Sequence, residues 1–340
     1  MANPRNLKGL DLVKEDLKKE DSHFSVEAMA VAVADKKNRR AKKGLEFNCF
    51  VLDGDADEFA DFVSLLEKNK KDIFDKTRFQ IVYRTRTVNN PPHHGYHWSA
   101  ADVQIKNNKL SFYLIDAAGV LPVILECCVL IKKCSPTAII RYSGGMIQNS
   151  PKNCATFSLD HVYRLAKIQN LHEKLEAIPE DACSIDSFLD VVSQYGFDRE
   201  WMAENITYIP VVRLSIYPEF GPLFRNMQSV TTLKEVFFKK ELNLSGNDQQ
   251  SLVDYVNTRI IKQGKKEQNH AMIKKRESIR AKAVKFLQSP SMNEKIYQKI
   301  QKNRLTLDEN LFLFSPKKPT NSPDPSKNKL PATITKKNSS

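Results

Sequence analysis

From Phe47 onward the apolar residues keep changing period, and that alternation limits the fold more than any other feature of the chain. In "DADEFADFVSLLEKNKK", Phe59, Phe62, Val63 and Leu66 recur at three- and four-residue intervals, which puts them on one face of an α-helix. The acidic residues ahead of them read as its cap. "RFQIVYRTR" then reads as a strand. Past the loop "VNNPPHHGY", "HWSAADVQI" and "KLSFYLID" are two more strands, joined by "KNN", a turn that closes them into a hairpin. Residues 119–133 read as a buried helix with Pro122 in its first turn, where the missing N–H has no helical partner to lose. "TAIIRYS" is the next strand, with "GGMIQ" as its extension. Residues 154–168 form a helix that turns Phe157, Val162 and Leu165 inward. Helices and strands interleaved with a hairpin predict an α/β (α+β) fold.

With 340 residues, 41% of them hydrophobic, the chain can build a core of one large domain or two ordinary ones. The formal charge of +13 favours acidic partners: nucleic acid, anionic lipid, polyphosphate or an acidic protein surface. Part of it lies in "KKNRRAKK" (36–43), six basic residues in eight, which reads as a solvated helix end. More lies in residues 262–304, with thirteen Lys or Arg against three Glu and helical spacing through Met272, Ile273, Ile279, Val284 and Leu287. Residues 1–24 are polar and read as a flexible N-terminus. Residues 315–340, with six lysines and five prolines, read as a disordered tail. The runs "AMAVAVA" and "GVLPVILECCVLI" are too short to cross a bilayer. The six cysteines show no disulfide spacing, which points to a reduced compartment. Cys127, Cys128, Cys134, His93, His94 and His97 include zinc-ligand types, but their spacing matches no standard site, so no metal is predicted.

The stretch "IQNSPKNCATFSLDHV" places Cys154 at the start of a helix. A helix N-terminus favours a thiolate, and its N–H groups, with Gln148 six residues upstream, can hold an oxyanion. His97 begins one strand of the hairpin and Asp116 ends the other, so both fall at one end of the sheet. A nucleophile, a base and an orienting acid are thereby available. Each has a blander reading: a packed thiol, a satisfied strand histidine and a helix cap.

"HWSAADVQIKNNKLSFYLIDAAG" followed by "IQNSPKNCATFSL" resembles the catalytic region of the YopJ family of bacterial effector acetyltransferases. There a histidine opens H-x-S-x-x-D-V, an acid follows nineteen positions later, a glutamine precedes the catalytic cysteine by six, and x-x-F-S comes after it. His97, Asp116, Gln148, Cys154, Phe157 and Ser158 reproduce those intervals. "PLFRNMQSVTTL" (222–233) resembles the family's Lys-His-x-Gln-Ser segment, and "MIKKRESIRAKAVKFL" (272–287) its closing basic helix. Ala155 stands where the family usually has Gly, Asp116 where Glu is commoner, and Arg225 and Asn226 where it has Lys and His.

The resemblance implies a papain- or adenain-like cysteine-protease core at about 47–210. Flanking helices from 25–46 and 211–314 would form a regulatory subdomain, making 25–314 the acetyltransferase domain. It also implies acetyl transfer from acetyl-CoA through a cysteine acetyl-enzyme to Ser, Thr or Lys of host proteins, often signalling kinases. Inositol hexakisphosphate would be the activator, and the host cytoplasm the place of action after secretion. By matching, His97, Asp116, Cys154 and Gln148 are catalytic. Gln228 and Ser229 would meet acetyl-CoA, and Arg225, Lys274, Lys275 and Arg276 the polyphosphate. Two alternatives stay open on the residues: a protease or deubiquitinase with the same three groups, and an inactive basic binding module.

Overall fold

The computed structural model describes residues 9–19, 24–54, 57–73, 75–85, 97–119, 121–143, 147–148, 153–177, 180–184, 199–205, 208–212, 220, 223, 260–263, 266–269 and 271–305. Among these residues the centre is a seven-stranded mixed sheet, ordered β1-β2-β3-β4-β5-β7-β6. The strands are β1 (Cys49–Asp53), β2 (Arg78–Arg84), β3 (Trp98–Lys106), β4 (Lys109–Ile115), β5 (Ile139–Ser143), β6 (Glu180–Ser184) and β7 (Tyr208–Val212). β3 and β4 form the hairpin expected around "KNN", with Lys106 opposite Lys109. Asn107 and Asn108 both take positive φ, 52° and 57°, a conformation that asparagine tolerates better than most residues.

The period-2 alternation sends each strand's side chains to two cores. Phe50, Leu52, Phe79, Ile81, Ala101 and Val103 face one core, shared with α3 (Glu58–Asn69) and α4 (Leu121–Cys134). Cys49, Val51, Val82, Trp98, Ala100 and Tyr113 face the other, shared with α2 (Val26–Ala41) and α5 (Cys154–Leu165). Phe59, Phe62, Val63 and Leu66 are the buried residues of α3, as their spacing requires. Asp57 makes no side-chain cap there. Glu58 instead accepts from the Asp53 N–H and from Arg304.

Two expectations fail. Residues 1–24 are not loose throughout, because Gly9–Lys18 form helix α1 with Leu10, Val13 and Leu17 buried. That i, i+3, i+7 stripe packs on the helix Ala271–Leu287, and each buried side chain contributes about 1.5–3 kcal/mol. Nor do Ile147 and Gln148 of "GGMIQ" extend β5, which ends at Ser143; residues 144–146 lie outside the described residues. Ile147 and Gln148 both donate their N–H to the Ala117 carbonyl, at 2.9 and 2.8 Å, so the chain here follows the loop after β4.

The remaining elements are α6 (Leu171–Glu176), α7 (Arg199–Asn205), the β8–β9 hairpin (Ile260–Gln263 and Lys266–Asn269), α8 (Ala271–Leu287) and α9 (Glu294–Asn303). Helix α8 packs against α1, α2 and α5, and the Arg280 guanidinium caps α1 by donating to the carbonyls of Asp16, Leu17 and Lys19. The two ends of the described chain thus form one helical layer beside helix α5. No described helix is long and apolar enough to cross a membrane.

Candidate active site

The β3–β4 register sets the site. Ala100 pairs with Ile115, so the residues just beyond, at the start of β3 and the end of β4, meet at one edge. His97 Nε2 lies 2.5 Å from Asp116 Oδ2. Asp116 is buried, 2% exposed, and a buried carboxylate must have its lone pairs satisfied. Ser99 Oγ donates to the same Oδ2 at 2.6 Å, and the Ala118 N–H donates to Oδ1 at 2.9 Å.

Cys154 is the first residue of α5 and is buried. It comes within hydrogen-bonding reach of the His97 ring. Burial works against a charge on that ring. The Asp116 carboxylate, by charge and by hydrogen bond, and then the Cys154 sulfur, more than offset it, and the imidazole is pushed up to about 10. A protonated imidazole and the first turn of a helix both stabilise a thiolate. With Nε2 turned to Asp116, Nδ1 is the nitrogen left for the sulfur. The three residues therefore meet with the base between nucleophile and acid.

The surrounding motif letters each fix part of this geometry. Ser158 Oγ donates to the Trp98 carbonyl at 2.9 Å, which pins the first turns of α5 to the start of β3, one residue from His97. The Trp98 indole donates to the Phe24 carbonyl at 3.1 Å. Asp102, fully buried, receives Arg78 at 2.6 and 2.8 Å, Gln80 at 2.9 Å and His172 Nε2 at 3.0 Å. Arg78 also donates to the carbonyls of Leu165 and Ile168, so the end of α5 is tied to the sheet as well. Burial penalises the Asp102 charge, but Arg78 and His172 hold its carboxyl below the usual range.

Farther along α5 the chemistry changes. The Asp160 carboxylate takes Arg164 at 2.9 Å and Lys275 of α8. Those two cations overcome the burial penalty and bring its carboxyl down to about 2. Around the next turn, Lys36 Nζ sits 3.3 Å from the Tyr163 ring centre, Lys167 Nζ 4.4 Å and the Arg40 guanidinium 5.4 Å. Burial first, and then the charges of Arg39, Lys275 and Lys167, push the Lys36 amine down to about 7. The run "KKNRRAKK" is therefore a solvated helix end only at Asn38 and from Ala41 onward, where Lys42 and Lys43 are exposed. Arg40 is 8% exposed and donates to the Glu46 carbonyl, because α2 lies against Tyr163 and α8.

Among the matched polyphosphate residues, Lys275 is engaged by Asp160 and Lys274 is exposed on α8. Arg276 lies on the same helix. Arg225, Gln228 and Ser229 fall outside the described residues, as do His93 and His94. Among the described residues no group of three or more His, Cys, Asp or Glu could hold a metal. Cys127 and Cys128 are buried, and burial raises both thiols, Cys128 to about 12. Sequence reasoning missed Ser99, Asp160, Lys36 and Lys167, and it named Ser158 without its tie to the Trp98 carbonyl. The serines stood inside the quoted motifs, and Lys36 stood in the basic run.

A cysteine at a helix start, with a histidine between it and a buried acid, defines a site able to form a thioester and pass its acyl group on. A family model described as YopJ serine/threonine acetyltransferase matches residues 8–305, and the chain belongs to that acetyltransferase family. Among curated proteins none gives a significant match. Among solved structures, HopZ1a in complex with IP6 is similar at a TM-score of 0.53 and 11% identity, covering 84% of this chain and 95% of that one. HopZ1a with IP6 and CoA gives 0.50 at 11% identity, over 82% and 98%. A variant of AvrA with IP6 and CoA gives 0.48 at 16% identity, over 83% and 100%.

Proposed function

We propose that the chain is a bacterial effector that moves an acetyl group from acetyl-CoA through Cys154 to Ser, Thr or Lys of host proteins. The observation that carries this reading is His97, bridging buried Asp116 and the helix-start sulfur of Cys154. In the first half-reaction the Cys154 thiolate attacks the acetyl carbonyl carbon, and the developing oxyanion takes the Cys154 N–H and the Gln148 side chain. The carbon–sulfur bond to CoA breaks, and imidazolium His97 protonates the departing thiolate. Acetylation removes the sulfur's charge, one of the influences that keep the ring protonated, so His97 becomes a competent base. It then takes the proton of the acceptor hydroxyl or amine. That nucleophile attacks the thioester and Cys154 leaves as thiolate. Asp116 holds the ring in one tautomer throughout.

Inositol hexakisphosphate is the proposed activator. The fit rests on the cations around Tyr163, where Lys36, Arg40 and Lys167 face the ring and where burial first, then the charges of Arg39, Lys275 and Lys167, push the Lys36 amine down to about 7. A polyanion would relieve that repulsion with charge-assisted hydrogen bonds and tie α2, α5 and α8 together. Lys274, Arg276 and Arg225 would extend this set, and Gln228 and Ser229 would contact acetyl-CoA. The domain reading follows the same division, with a core at about 47–210 and regulatory helices before and after it. The family's habit supports secretion, action in the host cytoplasm and signalling kinases as targets.

Radiolabelled acetyl-CoA tests the scheme. The wild type should take up label in the presence of inositol hexakisphosphate, and undiminished labelling of Cys154→Ala would sink it. Modification of Cys154 by a ubiquitin-derived suicide probe, without acetyl transfer, would favour a peptidase instead.

A further inference from the structure

The hydroxyl of Ser99 has no place in the scheme above, yet it meets the oxygen on which the scheme turns. Asp116 Oδ2 accepts from His97 Nε2 and from Ser99 Oγ, at 2.5 and 2.6 Å. The contact follows from the pleat: His97, just ahead of β3, and Ser99, within it, are two residues apart and turn to the same side, and the register that pairs Ala100 with Ile115, continued one step, carries Ser99 opposite Asp116. Ser99 is 7% exposed. The cavity beside it measures about 10 Å³ and is walled by Phe59, Tyr83, Leu114, Val123 and Ile124, so it has room for one water at most.

We propose that Ser99 is a positioning residue for the reaction, its hydroxyl fixing the plane of the Asp116 carboxylate and, through it, directing the His97 ring at Cys154. The proposal rests on reading His97, Asp116 and Cys154 as the reacting group. The terminal torsion of an aspartate is broad and roughly two-fold. With the Ala118 N–H on Oδ1 and His97 on Oδ2, the carboxylate can still rock about the line between its two donors. A third donor, held by a rigid strand, removes that freedom. Ser99 acts through its hydrogen bond to Asp116.

The test uses the full chain with inositol hexakisphosphate and acetyl-CoA, comparing wild type, Ser99→Ala and Ser99→Thr. Three quantities are read: kcat and KM for acetyl-CoA, the pH dependence of acetyl-enzyme formation, and Tm. The alanine variant should lose about ten-fold in kcat, in the range of a weakened general acid–base group, with KM unchanged. The alkaline limb of its pH profile should move to lower pH, because a rocking carboxylate holds the imidazolium proton less well. Threonine, which keeps the hydroxyl, should restore both. An unshifted limb in folded Ser99→Ala, or a threonine variant as impaired as alanine at equal Tm, would overturn the proposal. Should alanine fail to fold, Ser99→Cys keeps the volume with a weaker donor, and a limb identical to wild type there would overturn it equally. Failure of the underlying reading looks different: Cys154→Ala would then transfer acetyl groups at the wild-type rate.

Discussion

The two ends of helix α5 are built on opposite principles. At its start, Cys154, His97 and Asp116 form a closed set in which the acid has three donors and the first turns are pinned by Ser158. Around its last turns, Lys36, Arg40 and Lys167 gather about Tyr163, with Arg39 and Lys275 close by, while Asp160 is the buried carboxylate among them. At the first end the charge of the buried acid is met within the chain. The second gathers more cations than anions, and burial first, then the neighbouring positive charges, lowers the affinity of the Lys36 amine for a proton. A polyanion there would act on the reaction through a helix already fastened at both ends, by Ser158 and by Arg78.

Mutations should separate the two ends. Cys154→Ala or His97→Ala should cut acetyl transfer by about 10⁴-fold or more with little change in Tm, since such groups act as a unit. Asp116→Asn should lose about 10²–10⁴-fold through the wrong tautomer. Next in size, Asp102→Ala should destabilise the fold by about 3–5 kcal/mol in urea titrations, because Arg78 and His172 lose their buried acceptor. Lys36→Met should do the reverse: Tm unchanged or raised without ligand, and a smaller rise in Tm when inositol hexakisphosphate is added. If that variant responds to the polyphosphate like wild type, the contrast between the two ends collapses.

Two pH experiments sharpen it. The free Lys36 amine sits near 7, below the 10.5 of an ordinary lysine, and a bound anion raises it. Binding therefore takes up a proton between about 7 and 10, and polyphosphate affinity should fall as pH rises through that window. Calorimetry in buffers of different ionisation heat will count the proton. The smaller effect concerns His161, fully buried on α5 with neither ring nitrogen hydrogen-bonded among the described residues. Burial holds it down to about 4 against an ordinary 6.5. The unfolded chain therefore binds this proton first as pH drops, and stability is lost between about 6.5 and 4. His161→Phe should lose less Tm than wild type between pH 7 and pH 5.

The hairpin, the α3 face and the start of α5 could be read directly, because each follows from a local rule: two adjacent asparagines, a 3.6-residue apolar stripe and a turn ahead of a helical pattern. Intervals of nineteen and six residues singled out His97, Asp116, Gln148 and Cys154 as candidates, and the fold brings His97, Asp116 and Cys154 within reach of one another. The cluster around Tyr163 could not be read this way. Whether Lys36 is solvated depends on α8, more than two hundred residues later, lying against α2. Helix α1 hid for a similar reason, since Leu10, Val13 and Leu17 make a stripe too short to stand out until α8 covers it. Ser99 was in plain view within H-x-S, but its partner is set by strand register, which the sequence leaves implicit.

The central claim is that Cys154 carries the acetyl group. A pulse of acetyl-CoA with inositol hexakisphosphate, then peptide mass analysis and a chase with acceptor protein, tests it most directly. The account predicts a hydroxylamine-labile acetyl on the Cys154 peptide that passes to the acceptor during the chase. Acceptor acetylation at the wild-type rate by Cys154→Ala, with no thioester in the wild type, would contradict it.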